Sequence, residues 1–295
     1  MSVMTWRGGT DRRSAGQLLL LAGCLLALAS CRSAGSKDSL GWIALSPGGA
    51  TAADDIVVVR PDGSGRRVVV AAPGAQFDPS WSPDGKRIVY RDSARGINED
   101  DEIYVVNADG TGRTNLTRNP ANDYSPAWSP DGTLIAFSSN RGGMRSIWVM
   151  RPDGSDARSL RISGEYPSWS PDSRSIVFAR PGGDYDLWIV AADGTSSRPL
   201  VEGTTEDFVP AWSPKGSLIA FARGFEGARD IWVVKADGSG LRQLTSGPED
   251  DFAPAWSPDG EELAFARNQR LFLMRPDGAD VRDAETGANL PDWTR

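Results

Sequence analysis

A seven-residue phrase built on Pro-x-Trp-Ser-Pro recurs along this 295-residue chain, centred on Trp81, Trp128, Trp169, Trp212 and Trp256. The tryptophans are 47, 41, 43 and 44 residues apart. A period of that size means a solenoid or a propeller, because one such unit cannot bury its apolar face alone and needs neighbours on both sides. A sixth, shortened copy stands at Pro291-Asp292-Trp293. The 33 Gly and 20 Pro suit a chain with a turn every few residues, and Asp-Gly closes one turn in each unit: Asp62-Gly63, Asp109-Gly110, Asp153-Gly154, Asp193-Gly194, Asp237-Gly238 and Asp277-Gly278. That dipeptide between two apolar runs is a hairpin signal, since the turn needs residues that tolerate positive φ.

The runs themselves read as strands. After each Ser-Pro-Asp-Gly comes a nearly continuous apolar stretch such as Leu218-Ile219-Ala220-Phe221, as expected of a strand covered on both faces. A second stretch follows, such as Asp230-Ile231-Trp232-Val233-Val234, rich in β-branched and aromatic residues. With an inner Pro-x-Trp strand and an outer one such as Arg242-Gln243-Leu244-Thr245, each unit has four strands. The N-terminal unit (residues 42–45, 56–60 and 66–70) lacks an inner strand, and residues 290–293 supply one with nothing after it. The expectation is an all-β, six-bladed propeller of four-stranded blades, closed by the C-terminal strand joining the N-terminal blade; closure leaves only short strand edges. An open β-solenoid is the alternative, but it needs capping units rather than complementary halves.

The first thirty residues read as an address. Arg7, Arg12 and Arg13 precede an apolar run over residues 18–29, too short for the roughly 20 residues of a spanning helix and ordered like a secretory signal. Its end, Leu28-Ala29-Ser30-Cys31, resembles a bacterial lipobox, which makes Cys31 the lipidated first residue of the mature protein and residues 32–41 a short tether before the body at 42–295. Leu21-Ala22-Gly23-Cys24 is a weaker match, and an ordinary signal with an incidental Cys is the plainer reading. Loss of residues 1–30 takes the net charge from −7 to −9, which disfavours nucleic acid as a partner. The expected location is extracytoplasmic, anchored to a bacterial membrane by lipid.

The phrase Trp-Ser-Pro-Asp-Gly, then Ile-Ala-Phe or Ile-Val-Tyr, then Asp-Ile-Trp-Val and Ala-Asp-Gly resembles the repeat of TolB-like propellers, a WD-repeat-like family of bacterial envelope proteins, over residues 42–293. The resemblance implies the propeller fold and a role in binding envelope partners. The chain departs from the family's founding member in having only about ten residues between Cys31 and the first body strand, where a separate α/β domain would stand. Similar propellers precede α/β-hydrolase domains in some peptidases, but a Gly-x-Ser-x-Gly elbow does not occur here.

Composition narrows the chemistry. There is no His, and both Cys (Cys24 and Cys31) lie in the leader region, so the body has no parts for a Ser-His-Asp triad, a Cys-His pair, a histidine-bound zinc or a dithiol couple. The repeat tryptophans are expected to fill space between blades, and Asp84, Asp131, Asp172 and Asp259 to accept backbone N–H bonds in their turns. Lys215 takes that place in one unit. The residue between Pro and Trp is small (Ser80, Ala127, Ser168, Ala211, Ala255), as crowding near the ring axis requires, except for Asp292.

Candidate binding residues lie on the face that carries the connections between blades and between second and third strands. Asp123, Asp207 and Asp251 stand five residues before their tryptophans, Glu165 four before, and Asp78 nearby in another unit. The insertion at residues 92–102 adds Glu99-Asp100-Asp101-Glu102 to the same face. Carboxylates converging on a pore mouth attract a cation or a basic peptide; the plainer reading is that each Asp stabilises its own loop. Tyr124, Tyr166, Phe208 and Phe252 either widen this patch or tuck under the loops. No catalytic residue is assigned. Two classes stand: a lipid-tethered scaffold whose acidic face engages a basic segment of an envelope protein or peptide, and a metal-dependent hydrolase or lactonase-like enzyme using mouth carboxylates. No cofactor is expected, apart from calcium as a structural or channel ion, which hard oxygen ligands would suit.

Overall fold

The computed structural model describes residues 26–28, 41–46, 55–93, 100–268 and 270–284. Cys31, nearly all of the tether, Glu99 and the closing segment 290–293 lie outside the described residues. Within them the chain forms six sheets, each of four antiparallel strands in chain order. Blade I comprises Leu26–Leu28, Ile43–Leu45, Ile56–Val59 and Arg67–Val70; blade II Ala75–Trp81, Arg87–Ser93, Glu102–Asn107 and Thr114–Asn115. Blade III comprises Asp123–Trp128, Ile135–Ser139, Ser146–Met150 and Arg158–Ser163; blade IV Glu165–Trp169, Ser175–Pro181, Tyr185–Ala191 and Ser197–Val201. Blade V comprises Asp207–Trp212, Leu218–Arg223, Asp230–Lys235 and Arg242–Gln243; blade VI Asp251–Trp256, Leu263–Arg267, Arg270–Met274 and Arg282–Asp283.

The core lies between the blades. One cluster joins blades I and II, and others join II to III, III to IV, IV to V and V to VI. A last cluster closes the ring, packing Ile43, Leu45, Val57 and Val59 of blade I on Ala264, Leu271 and Leu273 of blade VI. Every second strand is therefore covered on both faces, which is why those strands read as unbroken apolar runs. The repeat tryptophans belong to these interfaces as expected: Trp81, Trp128, Trp169 and Trp256 are buried, each against the preceding blade. Trp148, Trp188 and Trp232 on third strands are only half-buried, and arginine side chains cover their rings.

Turn chemistry matches the sequence pattern. In the first hairpin Ser82 Oγ donates to Asp84 Oδ1 (2.6 Å) and accepts the Arg87 N–H (2.9 Å), while Asp84 accepts the Lys86 N–H. The same set recurs at Asp131, Asp172 and Asp259. Lys215, lacking a carboxylate, instead reaches across to Glu261 of blade VI. In the third hairpin of blade III, between its third and fourth strands, Gly154 sits at φ 85°, and a Cβ there would stand 2.5 Å from the Leu116 carbonyl oxygen of the preceding blade. Glycine is thus required twice over, by the turn and by the packing of blade on blade.

Around the axis each inner strand of blades II to VI carries a bulge with one non-glycine residue at positive φ: Asp78, Ser125, Tyr166, Val209 and Ala253, three before the tryptophan. The extra residue sharpens the twist and turns the strand along the channel wall. Small residues next to Trp let adjacent inner strands touch, and Ser80 and Ser168 use this closeness to accept the N–H of Trp128 and Trp212, both at 3.0 Å.

Blade I differs from expectation in one respect. The place beside Ile43–Leu45 is taken by Leu26–Leu28, paired Leu26 to Leu45, Ala27 to Ala44 and Leu28 to Ile43. These three residues belong to the apolar run read above as a secretory signal, and residues 290–293, to which that place was assigned, lie outside the described residues.

Candidate functional site

The five acids singled out in the sequence are all buried. Asp123, Glu165, Asp207 and Asp251 open the inner strands of blades III to VI, so the structure does bring them to one rim. There, however, each meets a cation. Asp207 is gripped through both oxygens by Arg223 (2.7 and 2.8 Å), and Asp251 by Arg267 (2.6 Å twice). Asp123 accepts from Arg141 and Asn119, both at 2.8 Å. Glu165 accepts from Arg145 at 2.6 Å, across the gap between blades, and from the Tyr185 hydroxyl at 3.0 Å. Asp78 is not at the equivalent position, which Gln76 occupies; its Oδ2 accepts the N–H and hydroxyl of Ser125, with Arg91 at 3.9 Å. The rim is a ring of carboxylate–guanidinium pairs rather than of bare carboxylates.

The arginines are the residues that sequence reasoning missed. Arg141, Arg223 and Arg267 each lie over two aromatic rings of their own blade, 5.0–5.6 Å from the centroids. Stacking and a bidentate carboxylate suit guanidinium and not ammonium. The signal was present: arginine stands two residues after the second-strand phenylalanine in Phe178-Ala179-Arg180, Phe221-Ala222-Arg223 and Phe265-Ala266-Arg267. Tyr124 and Phe252 tuck under the loops, while Tyr166 and Phe208 are half-buried and meet edge-on at 6.4 Å. Of the acidic run, Asp101 accepts from the Ser93 hydroxyl, and Glu102 from the Thr117 hydroxyl and the Asn119 N–H. Among the described residues no group of three or more acidic, Cys or His side chains is placed to hold a metal ion.

The pairs differ in electrostatics. Burial outweighs the Arg223 bonds and pushes the Asp207 carboxyl up to about 6 from its usual 3.8. Burial and the Glu165 charge push the Tyr185 hydroxyl up to about 12. Because the Asp207 value is raised in the folded state, its contribution to stability is full below about pH 4 and is lost as pH rises through about 6. Urea unfolding of wild type and Asp207→Asn across that window is expected to show the wild-type advantage shrinking as pH rises. An advantage that grows over the same window contradicts it.

What the rim leaves open is on its loops. Between second and third strands, Met144 of blade III is 76% exposed and Phe225 of blade V 60%. Around the blade IV, V and VI loops, Glu202, Glu206, Glu226 and Glu249 form no ion pair among the described residues. Exposed apolar anchors set among unpaired charges are a feature of protein-docking faces.

Fold and rim together define a ring-shaped propeller with a polar loop face. The chain belongs to the TolB β-propeller family: the family model described as the TolB beta propeller domain matches residues 40–207. It is similar to the Tol-Pal system protein TolB of Rhizorhabdus wittichii, 38% identical over 78 residues, which is 25% of this chain and 18% of that protein. The chain thus spans less than a fifth of that relative in the match. Among solved structures it resembles a putative TolB from Agrobacterium tumefaciens (TM-score 0.67, 25% identity, 74% of this chain and 83% of that one). It also resembles TolB from Acinetobacter baumannii (TM-score 0.69, 21% identity, 89% of this chain and 63% of that one), a likeness of fold.

Proposed function

We propose that this protein is a membrane-tethered, extracytoplasmic scaffold that docks an envelope protein or peptide through its loop face, the partner offering a basic segment. The observation that carries the reading is the company kept by Phe225: an exposed aromatic ring on a loop of a rigid disc, with Glu226 beside it and Glu202, Glu206 and Glu249 on adjoining loops. A central apolar anchor ringed by one sign of charge gives affinity from the ring and orientation and on-rate from the charges. Asp78, Asp123, Glu165, Asp207 and Asp251 serve it indirectly: they hold the arginines that fix the rim from which these loops spring. Kinship with proteins named for the Tol-Pal system supports an envelope setting, and Cys31 supplies the tether.

The test is a photo-crosslinker placed at position 225 and, as control, at position 153 in the opposite hairpin, in intact cells. Adduct is expected at 225 and not at 153. Replacing Glu202, Glu206, Glu226 and Glu249 with Lys is expected to cut the adduct about tenfold or more, in line with the cost of like-charge juxtaposition. Adduct at 153 alone, or no response to the charge reversal, overturns the reading.

A further inference from the structure

On the opposite face, between blades IV and V, the disc is cleft, and the reason is legible residue by residue. Wherever a repeat tryptophan packs on the preceding blade, that blade offers two side chains near the hairpin end, one opening its second strand and one closing its third. By register, on the face toward the next blade, they are Arg87 and Asn107 in blade II, Leu134 and Arg151 in blade III, each one residue outside its strand, and Leu218 and Lys235 in blade V. Arg87, for example, lies 4.7 Å from the Trp128 ring. Blade IV has Ser175 and Ala191 at these two places, paired across the strands. Both are small where their counterparts are long, and they face Trp212 of blade V.

Trp212 behaves accordingly. Trp169 and Trp256 donate their indole N–H to the carbonyls of Ala127 and Ala211 on the inner strand of the preceding blade, both at 3.0 Å. Trp212 instead donates to Gly216 in its own turn (3.2 Å) and is half-buried where Trp169 and Trp256 are buried. The result is a cleft of about 340 Å³ whose lining includes Ser175, Ile189, Ala191, Arg198, Trp212 and Ala236. That volume falls at the small end of ligand clefts, ~300–1,000 Å³. Arg198 is the one charged lining residue; it donates to the Ala236 carbonyl (2.6 Å) and the Pro199 carbonyl (3.3 Å). Those two bonds fix the guanidinium and leave three of its five donors for an incoming anion.

We infer that this cleft is a second docking site, which takes an aromatic side chain of a partner peptide that carries a carboxylate beside it. The indole, Ile189, Ala191 and Ala236 receive the ring, and Arg198 receives the acid. The chemistry is opposite in sign to that proposed for the loop face, so the disc presents two distinct recognition surfaces.

The test follows the indole N–H signals of the purified protein by NMR, with Trp212 assigned through Trp212→Phe. The probe is a capped tetrapeptide, Ala-Phe-Asp-Ala. Saturable shifts are expected at Trp212 and not at Trp169 or Trp256. The Ala-Phe-Lys-Ala peptide, and the Asp peptide against Arg198→Gln, are each expected to bind about tenfold more weakly, the loss of one charge-assisted hydrogen bond. Ser175→Leu with Ala191→Arg restores the side chains of other blades; it is expected to abolish the Trp212 shifts while holding or raising the unfolding temperature. Undiminished binding by that filled variant, absent shifts at Trp212, or equal binding of the Lys peptide overturns the proposal. Equal affinity for free N-acetylphenylalanine also overturns it, since the site would then be for a small carboxylate.

Discussion

A chain reduced to residues 31–284 is expected to lose cooperative unfolding, whereas 31–295 and 1–284 each keep it. The argument rests on the inner edge of blade I. Ile43–Leu45 turn a row of main-chain N–H and C=O groups toward the axis, and these need a partner strand because an unpaired buried backbone group costs about as much as a lost hydrogen bond. Leu26–Leu28 supply it here, and we expect residues 290–293 to do so once a leader is cut before Cys31. The stake is larger than three residue pairs. Trp81 is buried against blade I, and its indole N–H, like that of Trp128, has no hydrogen-bond partner among the described residues. Removing both candidate strands strips one wall from Trp81, a loss of the order of a buried aromatic truncation, about 3–5 kcal/mol, from a total near 5–15 kcal/mol. Denaturant titration of the three chains decides the matter. If 31–295 unfolds without cooperativity, the C-terminal segment does not fill the slot. If 31–284 unfolds as sharply as the others, neither strand matters.

The repeat made most of the fold readable. Trp spacing gave the number of blades, Asp-Gly the third hairpin of each, and the half-units at 42–70 and 290–293 the need for closure. These are local signals, written in residues that act within four or five positions of themselves. The pairing beside Ile43 was not readable, because strand partnership depends on distant segments and the apolar run that holds Leu26-Ala27-Leu28 has the pattern of a signal segment as well as of a strand. The rim was half readable for a related reason. The position of Asp207 at the start of an inner strand follows from the repeat, but its burial and its clasp by Arg223 depend on a register across strands. The cleft under Trp212 needed the structure only for its size. Its cause, Ser175 and Ala191 in columns otherwise filled by long side chains, stands in the sequence once the blades are aligned.

Asp251→Ala is expected to cost about 3–5 kcal/mol, the usual penalty for leaving one member of a buried ion pair without its partner. Asp251 is 1% exposed and Arg267 is held by it through two bonds of 2.6 Å. The hydrogen bond to Asp251 raises the Arg267 pKa above its ordinary value even against burial; a guanidinium is not deprotonated in proteins even without such a partner, so it stays charged when the carboxylate is gone. It then sits over the Phe265 and Phe272 rings without its bidentate partner. A bare acid lining a solvent-filled mouth would behave differently: its removal would shift stability by no more than about 0.5 kcal/mol and change binding alone. The double replacement Asp251→Ala with Arg267→Met separates the two cases. Methionine keeps the apolar contact with both rings and removes the stranded charge, so stability is expected to return to within about 1 kcal/mol of wild type, as when a buried pair gives way to apolar residues. Crosslinking through position 225 is expected to return with it. If stability returns and crosslinking does not, the Asp251–Arg267 pair touches the partner directly, and the rim acids are contacts rather than supports of the loops that make them.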